Sequence, residues 1–173
     1  NQTPISLTAA STSIDTAEQV SRLLHSASFR VYMSTDPLGV ELGGILKNII
    51  AIAVGMSDGL SYGPSTRAAL IARGLAEMTR VSVALGAQQQ TLFGLSGLGD
   101  LVMTSTEDQS RNRMVGLRLG RGEGFDQIVS TLTSTAEGIS SAFLIDKLVM
   151  ERKIDAPIIG RYITDAMRRV LAS

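Results

Sequence analysis

The chain has 173 residues, enough to bury one core, with room for one domain or for one domain and a fragment of another. Its 16 basic and 16 acidic residues cancel, so no global field draws it to nucleic acid or to an anionic membrane, and any anion site must be local. The absence of cysteine excludes disulfides, zinc–thiolate centres and thiol nucleophiles, and a single histidine argues against a catalytic triad or a multi-histidine metal site. The longest unbroken apolar run, Ile49 to Met56 with its glycine, is eight residues long. A bilayer span needs roughly 20, so no transmembrane segment is expected and the chain reads as soluble. No signal-peptide pattern opens it, and its start at Asn1 without methionine reads as a cut.

In chain order, Pro4 to Ala10 predicts a short strand. Asp15 and Glu18 have the spacing of a capping box, and Ala17, Val20, Leu23 and Leu24 follow at helical intervals. Phe29, Val31 and Met33 alternate with Arg30 and Tyr32, the pattern of a strand with one covered face. A strand, a helix and a strand cannot close a sheet domain, so residues 1–36 read as the end of a larger N-terminal domain.

From Asp36, a cap followed by Pro37 at the first helical position, the character becomes helical. One long helix is predicted to about Gly55. A second starts near Ser65, carries Ile71, Leu75, Met78, Ser82 and Leu85 on one face, and ends at a left-handed Gly86. Thr91 to Thr104 reads as two short helical pieces broken by glycines. Helices over Arg111 to Gly120, Phe125 to Thr131 and Glu137 to Arg152 follow, and Asp155 with Pro157 opens a last one, Ile158 to Leu171. Residues 37–173 thus predict an all-helical domain. Its many glycines imply close backbone approach or left-handed caps at several positions.

Two stretches carry the chemistry. In LSGLGDLVMTSTEDQSRNR, Leu95 to Arg113, Ser110 stands as an N-cap before Arg111 and Asn112. The unpaired N–H groups behind such a cap, the helix dipole and an arginine make a seat for phosphate or carboxylate. The same residues also fit an ordinary capped surface helix. In LGGILKNIIAIAVGM, Leu42 to Met56, the helix is apolar all round except at Lys47 and Asn48. An ammonium there must meet a partner or lose its proton. Desolvation that lowers a lysine pKa makes a competent general acid or base, whereas snorkelling or an ion pair with an acid such as Asp100 would make Lys47 structural.

The blocks ELGG-x-x-KN and GLGDLV-x-T followed by SRNR, with 53 positions from Lys47 to Asp100 and ten more to Ser110, resemble the bacterial-type NAD(P)-dependent glycerol 3-phosphate dehydrogenase family. TRAALIARGLAEMTRVSVALGA and AEGISSA match in order as well. The resemblance implies a helical C-terminal domain of the 6-phosphogluconate dehydrogenase type, preceded by a Rossmann remnant. It further implies reversible reduction of dihydroxyacetone phosphate to sn-glycerol 3-phosphate by NAD or NADP, feeding phospholipid synthesis in the cytoplasm, and a homodimer. By the family's pattern Lys47 is the catalytic proton donor and acceptor. Asp100, Ser110, Arg111 and Asn112 bind substrate and its phosphate, and Asn48 and Thr104 match further substrate contacts. Arg111, Thr135 and Glu137 match cofactor contacts, with Thr135 standing where an aliphatic residue is commoner. The family's Gly-rich phosphate loop and a second substrate lysine are not among these residues, so the chain alone is expected to be inactive.

Two rival readings remain at this level. One is the helical half of a related NAD(P)-dependent hydroxyacid dehydrogenase, which the SRN seat disfavours. The other is a non-catalytic dimerisation module, which leaves Lys47 unexplained. Arg111, Arg113, Arg118 and Arg121 suggest a nucleic-acid helix only weakly, in a neutral chain with 4% aromatic residues. Glu41 is expected in a structural ion pair and His25 in no ligand role.

Overall fold

A computed structural model describes residues 4–132 and 136–171. Strands β1 (Ile5–Ala10) and β2 (Phe29–Ser34) pair in parallel, from Ile5 opposite Phe29 to Ala10 opposite Ser34, with α1 (Ile14–Leu24) as the crossover. The cap of α1 is Ser13, whose Oγ accepts from Thr16 N, and not the expected Asp15. Asp15 lies instead in the first turn, where the dipole favours a carboxylate, and Glu18 bonds Arg22 at 2.6 Å in place of closing a capping box. The face expected to be covered on β2 is covered only at Val31. Phe29 and Met33 remain 37% and 49% exposed because no second layer lies on them among the described residues.

Asp36 joins the strands to the helices. Its carboxylate caps α2 (Pro37–Gly59) through Gly39 N at 2.9 Å, and also accepts from Gln88 N at 2.8 Å and Thr91 Oγ1 at 2.7 Å. Burial alone would raise this carboxyl, but the Thr91, Gly39 and Gln88 donors outweigh it and hold Asp36 below the ordinary carboxylate range. The pair α4 (Gln89–Leu92) and α2 are thereby tied through one side chain.

Helix α2 is the axis of the fold, with Leu46, Ile49, Ile50, Ile52 and Val54 fully buried among α3 (Pro64–Ala84), α5 (Asp100–Thr106), α6 (Arg111–Gly120) and α8 (Glu137–Arg152). By length and composition it passes for a membrane span, yet 67% of its most apolar window is buried inside the fold. It runs four residues past the expected end at Gly55 because Gly55 and Gly59 are where α6 docks. A Cβ at Gly55 would lie 2.0 Å from Arg113 O, and one at Gly59 2.4 Å from Leu117 O. From the other side, Cβ atoms at Gly116 and Gly120 would lie 2.0 Å from Ile52 O and 2.3 Å from Met56 O. Two Gly-x-x-x-Gly faces therefore let the backbones touch, and α6 runs alongside α2 in the same direction. The first turn of α6 is brought beside Lys47 and Asn48.

Helix α3 ends as expected, with Gly86 at φ 102°. The glycines expected to break 91–104 do so only partly, since Leu95–Gly99 forms a π-helical turn that runs straight into α5. Past α6 come α7 (Phe125–Thr131) and α8. The expected cap-and-proline start of the last helix is not how that segment begins. Ile158–Tyr162 is a π-helical turn with Gly160 at φ −91°, ψ −110°, and α9 begins at Ile163 and runs to Leu171. The first N–H groups of the π-helical turn, Ile158 N and Ile159 N, donate to Glu77 Oε2 of α3 at 2.8 and 3.0 Å, while Asp155 faces water beside Arg80. Burial of Glu77 raises its carboxyl above the ordinary value against these bonds.

Candidate active site

Lys47 lies mid-way along α2, between turns packed into the core on either side. Its ammonium forms an ion pair with the carboxylate of Asp100, at the first position of α5, and the side chains are 18% and 27% exposed. The partner demanded by an almost wholly apolar helix is thus Asp100, placed there by the π-helical turn whose Gly97 presses against Leu92 O and leaves no room for a Cβ. The pair stands on a wall shared by two cavities. One, about 450 Å³, includes Lys47, Asn48, Thr104, Ser110, Arg111, Asn112 and Glu137 in its lining. The other, about 630 Å³, is bounded by Asp100, Gly99, Leu95 and the outer residues of β1, with Gly44 and Met103 bordering both.

Ser110 caps α6 as expected, its Oγ accepting from Arg113 N at 3.3 Å. A hydroxyl used as an acceptor keeps its O–H free to donate to an anion in the cavity. Asn112, buried behind it, accepts from Gly138 N at 2.9 Å, so its oxygen faces the first turn of α8 and its NH₂ remains a donor. Gly138 has to be glycine, since a Cβ would meet Asn112 Oδ1 at 2.7 Å and Asn48 O at 2.9 Å. That contact fixes Glu137 at the cavity rim. Asn48 is the least available of the group, as its Nδ2 donates back to Gly44 O at 3.1 Å. Arg111 is exposed on the rim. Thr135 lies outside the described residues.

The arrangement joins a proton-bearing amine, held by a carboxylate, to a helix N-terminus with hydroxyl and amide donors and an arginine. Such a cavity can seat a small anion at one end and exchange a proton with it at the other. Sequence reading missed Gln109 and Glu107, which also line the cavity, and the ion pairs behind it. Gln109 had one usable signal, its place immediately before the cap. Arg113 and Arg118 were read only as members of a basic cluster. Arg113 bonds Asp58 and Asp108, and Arg118 bonds Glu123. Glu41, expected to pair, is exposed with no ion pair among the described residues, and His25 is exposed with Nδ1 accepting weakly from Val31 N at 3.5 Å.

A family model for the C-terminus of NAD-dependent glycerol-3-phosphate dehydrogenase matches residues 36–170. Curated proteins named glycerol-3-phosphate dehydrogenase (NAD(P)+) are similar along the sequence: that of Thioalkalivibrio sulfidiphilus is 52% identical over 155 residues, that of Syntrophotalea carbinolica 51% over 156. Each alignment takes in 90% of this chain but only 46% and 47% of the relative, so the chain spans about half the length of the curated proteins it matches. Among solved structures, glycerol-3-phosphate dehydrogenase from Coxiella burnetii superposes with a TM-score of 0.88 at 39% identity, covering 99% of this chain and 56% of that one. The helical architecture around α2 and α6 is therefore shared as well as the sequence, and the chain belongs to the family of NAD-dependent glycerol-3-phosphate dehydrogenase C-terminal regions.

Proposed function

We propose that this chain is the substrate-binding and catalytic half of an enzyme that interconverts dihydroxyacetone phosphate and sn-glycerol 3-phosphate with NAD or NADP. The observation that carries the reading is Lys47, ion-paired with Asp100 on the wall of a cavity whose other side is the Ser110-capped start of α6. The phosphate sits at that helix start, on Ser110, Arg111 and Asn112. The substrate carbon chain reaches back toward Lys47, whose Nζ gives a proton to the carbonyl oxygen during reduction and takes it back from the hydroxyl during oxidation. Asp100 holds Nζ in place, and Asn48 and Thr104 narrow the cavity beside it. The bound nicotinamide cofactor supplies the hydride. Arg111 and Glu137, at the exposed rim of the cavity, fit that cofactor as side chains that can reach it without closing the anion seat, and Thr135 belongs with them.

In this reading residues 1–36 are the tail of a nucleotide-binding domain and 37–173 the substrate domain. The match of the family model from residue 36 supports that division, as does the βαβ unit left largely uncovered. A homodimer follows from the family reading, and Leu144 and Met150 of α8 and Tyr162 of the following turn, each over 60% exposed, are candidates for its contacts. A cytoplasmic enzyme feeding phospholipid synthesis follows from the family reading, and the one helix long and apolar enough to cross a membrane among the described residues, α2, is mostly buried in the fold.

The test is turnover. The chain by itself shows none, and joined to a nucleotide-binding half it reduces dihydroxyacetone phosphate with NADPH and prefers glycerol 3-phosphate to a non-phosphorylated hydroxyacid. In the joined enzyme Lys47→Met lowers kcat by about 10²–10⁴, the share of a positioned acid–base group. Retention of activity within tenfold would remove Lys47 from the chemistry.

A further inference from the structure

Arg113 is not in the cavity lining, yet it is buried just behind it and pairs with two carboxylates. Its side chain is 8% exposed. Nη2 donates to Asp58 Oδ2 of α2 at 2.8 Å, and Nη1 donates to Asp108 Oδ1, in the loop between α5 and α6, at 2.7 Å. Asp58 is held from its other side by Arg67 of α3, with Nε to Oδ1 at 3.0 Å. Its side chain is only 6% exposed, so the carboxylate is fixed by two guanidinium groups and serves as a rigid anchor. Asp108 is the opposite case, 92% exposed on a loop that Arg113 ties down by an ion pair.

That loop carries Glu107, Gln109 and Ser110 into the cavity. The main chain of Arg113 acts on the same place, since its N–H donates to Ser110 Oγ. One residue thus holds the hydroxyl of the anion seat from behind and the loop that precedes it from the side. We infer that Arg113 is a positioning residue for the anion end of the site: through Asp108 it fixes the 107–110 loop, and so the affinity for the substrate's phosphate, while remaining outside the proton chemistry at Lys47. The inference rests on the proposed function above. A displacement of about 1 Å in such a loop costs up to two orders of magnitude in productive binding. Neutralising Asp108, a surface residue with no packing role, frees the loop without disturbing the core. Replacing Arg113 also removes one of the two guanidinium partners of the buried Asp58 and leaves it Arg67, so its variants carry a stability cost of their own.

The experiment uses the whole enzyme. Wild type, Asp108→Asn, Arg113→Lys and the double variant are compared for KM of dihydroxyacetone phosphate, KM of the nicotinamide cofactor, kcat and thermal midpoint. Asp108→Asn raises the substrate KM about tenfold, with kcat, cofactor KM and thermal midpoint close to wild type. Arg113→Lys raises it at least as much, and the double variant adds nothing to Arg113→Lys, because both changes open the same link. A substrate KM within twofold of wild type in Asp108→Asn overturns the inference, as does an equal rise in cofactor KM. Should Arg113→Lys fail to fold, Asp108→Asn alone decides. A wild-type enzyme without turnover of dihydroxyacetone phosphate would overturn the functional reading instead, and is seen before any variant is made.

Discussion

Asp36 concentrates more of the fold in one side chain than any other residue at the strand-to-helix junction. Three donors, from α2, from the segment before α4 and from Thr91, converge on a buried carboxylate held below its ordinary range. A carboxyl depressed in the folded state contributes stability above its unfolded value, and that contribution is lost as pH falls through the folded value. The expected result is that Asp36→Asn, which keeps one acceptor oxygen of two, costs about 1–3 kcal/mol at neutral pH. The difference from wild type should shrink as pH drops below the ordinary aspartate range. Chemical denaturation at several pH values measures it, and a difference independent of pH would mean that the hydrogen bonds do not favour the charged form. The cap itself was legible because Asp followed by Pro is a local signal. Ser13 was missed in favour of Asp15 because both residues satisfy the same local rule two positions apart, and only the backbone geometry separates them. Glu77 could not have been found at all: it serves N–H groups 81 and 82 positions away, and nothing near residue 158 announces a borrowed carboxylate.

At the scale of elements, the site depends on how closely α6 lies against α2. Glycines at 55, 59, 116 and 120 set that distance, and the spacing of four within each pair was present in the sequence, though its meaning required knowing that these two helices are partners. Lys47 and the Ser110 cap were readable one helix at a time, from an odd charge in an apolar run and from a cap with an arginine behind it. Their juxtaposition was not, because it follows from packing between segments more than 50 residues apart. Gly116→Ala inserts a methyl group 2.0 Å from Ile52 O, which forces the helices apart. Overpacking of this kind costs about 3 kcal/mol, or roughly 6–12 °C in Tm for a chain of this size. Gly124→Ser is the control, since a Cβ there meets nothing within 4 Å and serine suits the N-cap of α7. Thermal unfolding followed by circular dichroism compares the two. Equal midpoints would mean that the α2–α6 contact tolerates a wider separation, and that the anion seat is not held by it.

The whole molecule has two regions of unequal self-sufficiency. The helices around α2 enclose a core in which Leu46, Ile49, Ile50, Met78, Leu92 and Leu101 are sealed from water. The βαβ unit has only Ala17 and Val31 buried among its apolar side chains, and Ile5, Leu7, Phe29, Tyr32 and Met33 are between 37% and 50% exposed. A two-stranded sheet without a covering layer is marginal in water. If residues 1–36 are the end of a nucleotide-binding domain, the strands acquire their stability from chain that packs on those side chains, and the helical region does not. Hydrogen exchange then separates the two regions. In this chain alone, amides of β1 and β2 exchange orders of magnitude faster than those of α2, because local opening there exposes little additional apolar surface. In the whole enzyme the strand amides slow by at least about tenfold, while those of α2 change little. Strand amides already as protected as α2 in this chain alone would mean that the unit is stable by its contacts with α2 and the 95–99 turn, and that the exposed apolar face has another purpose than seating a larger sheet.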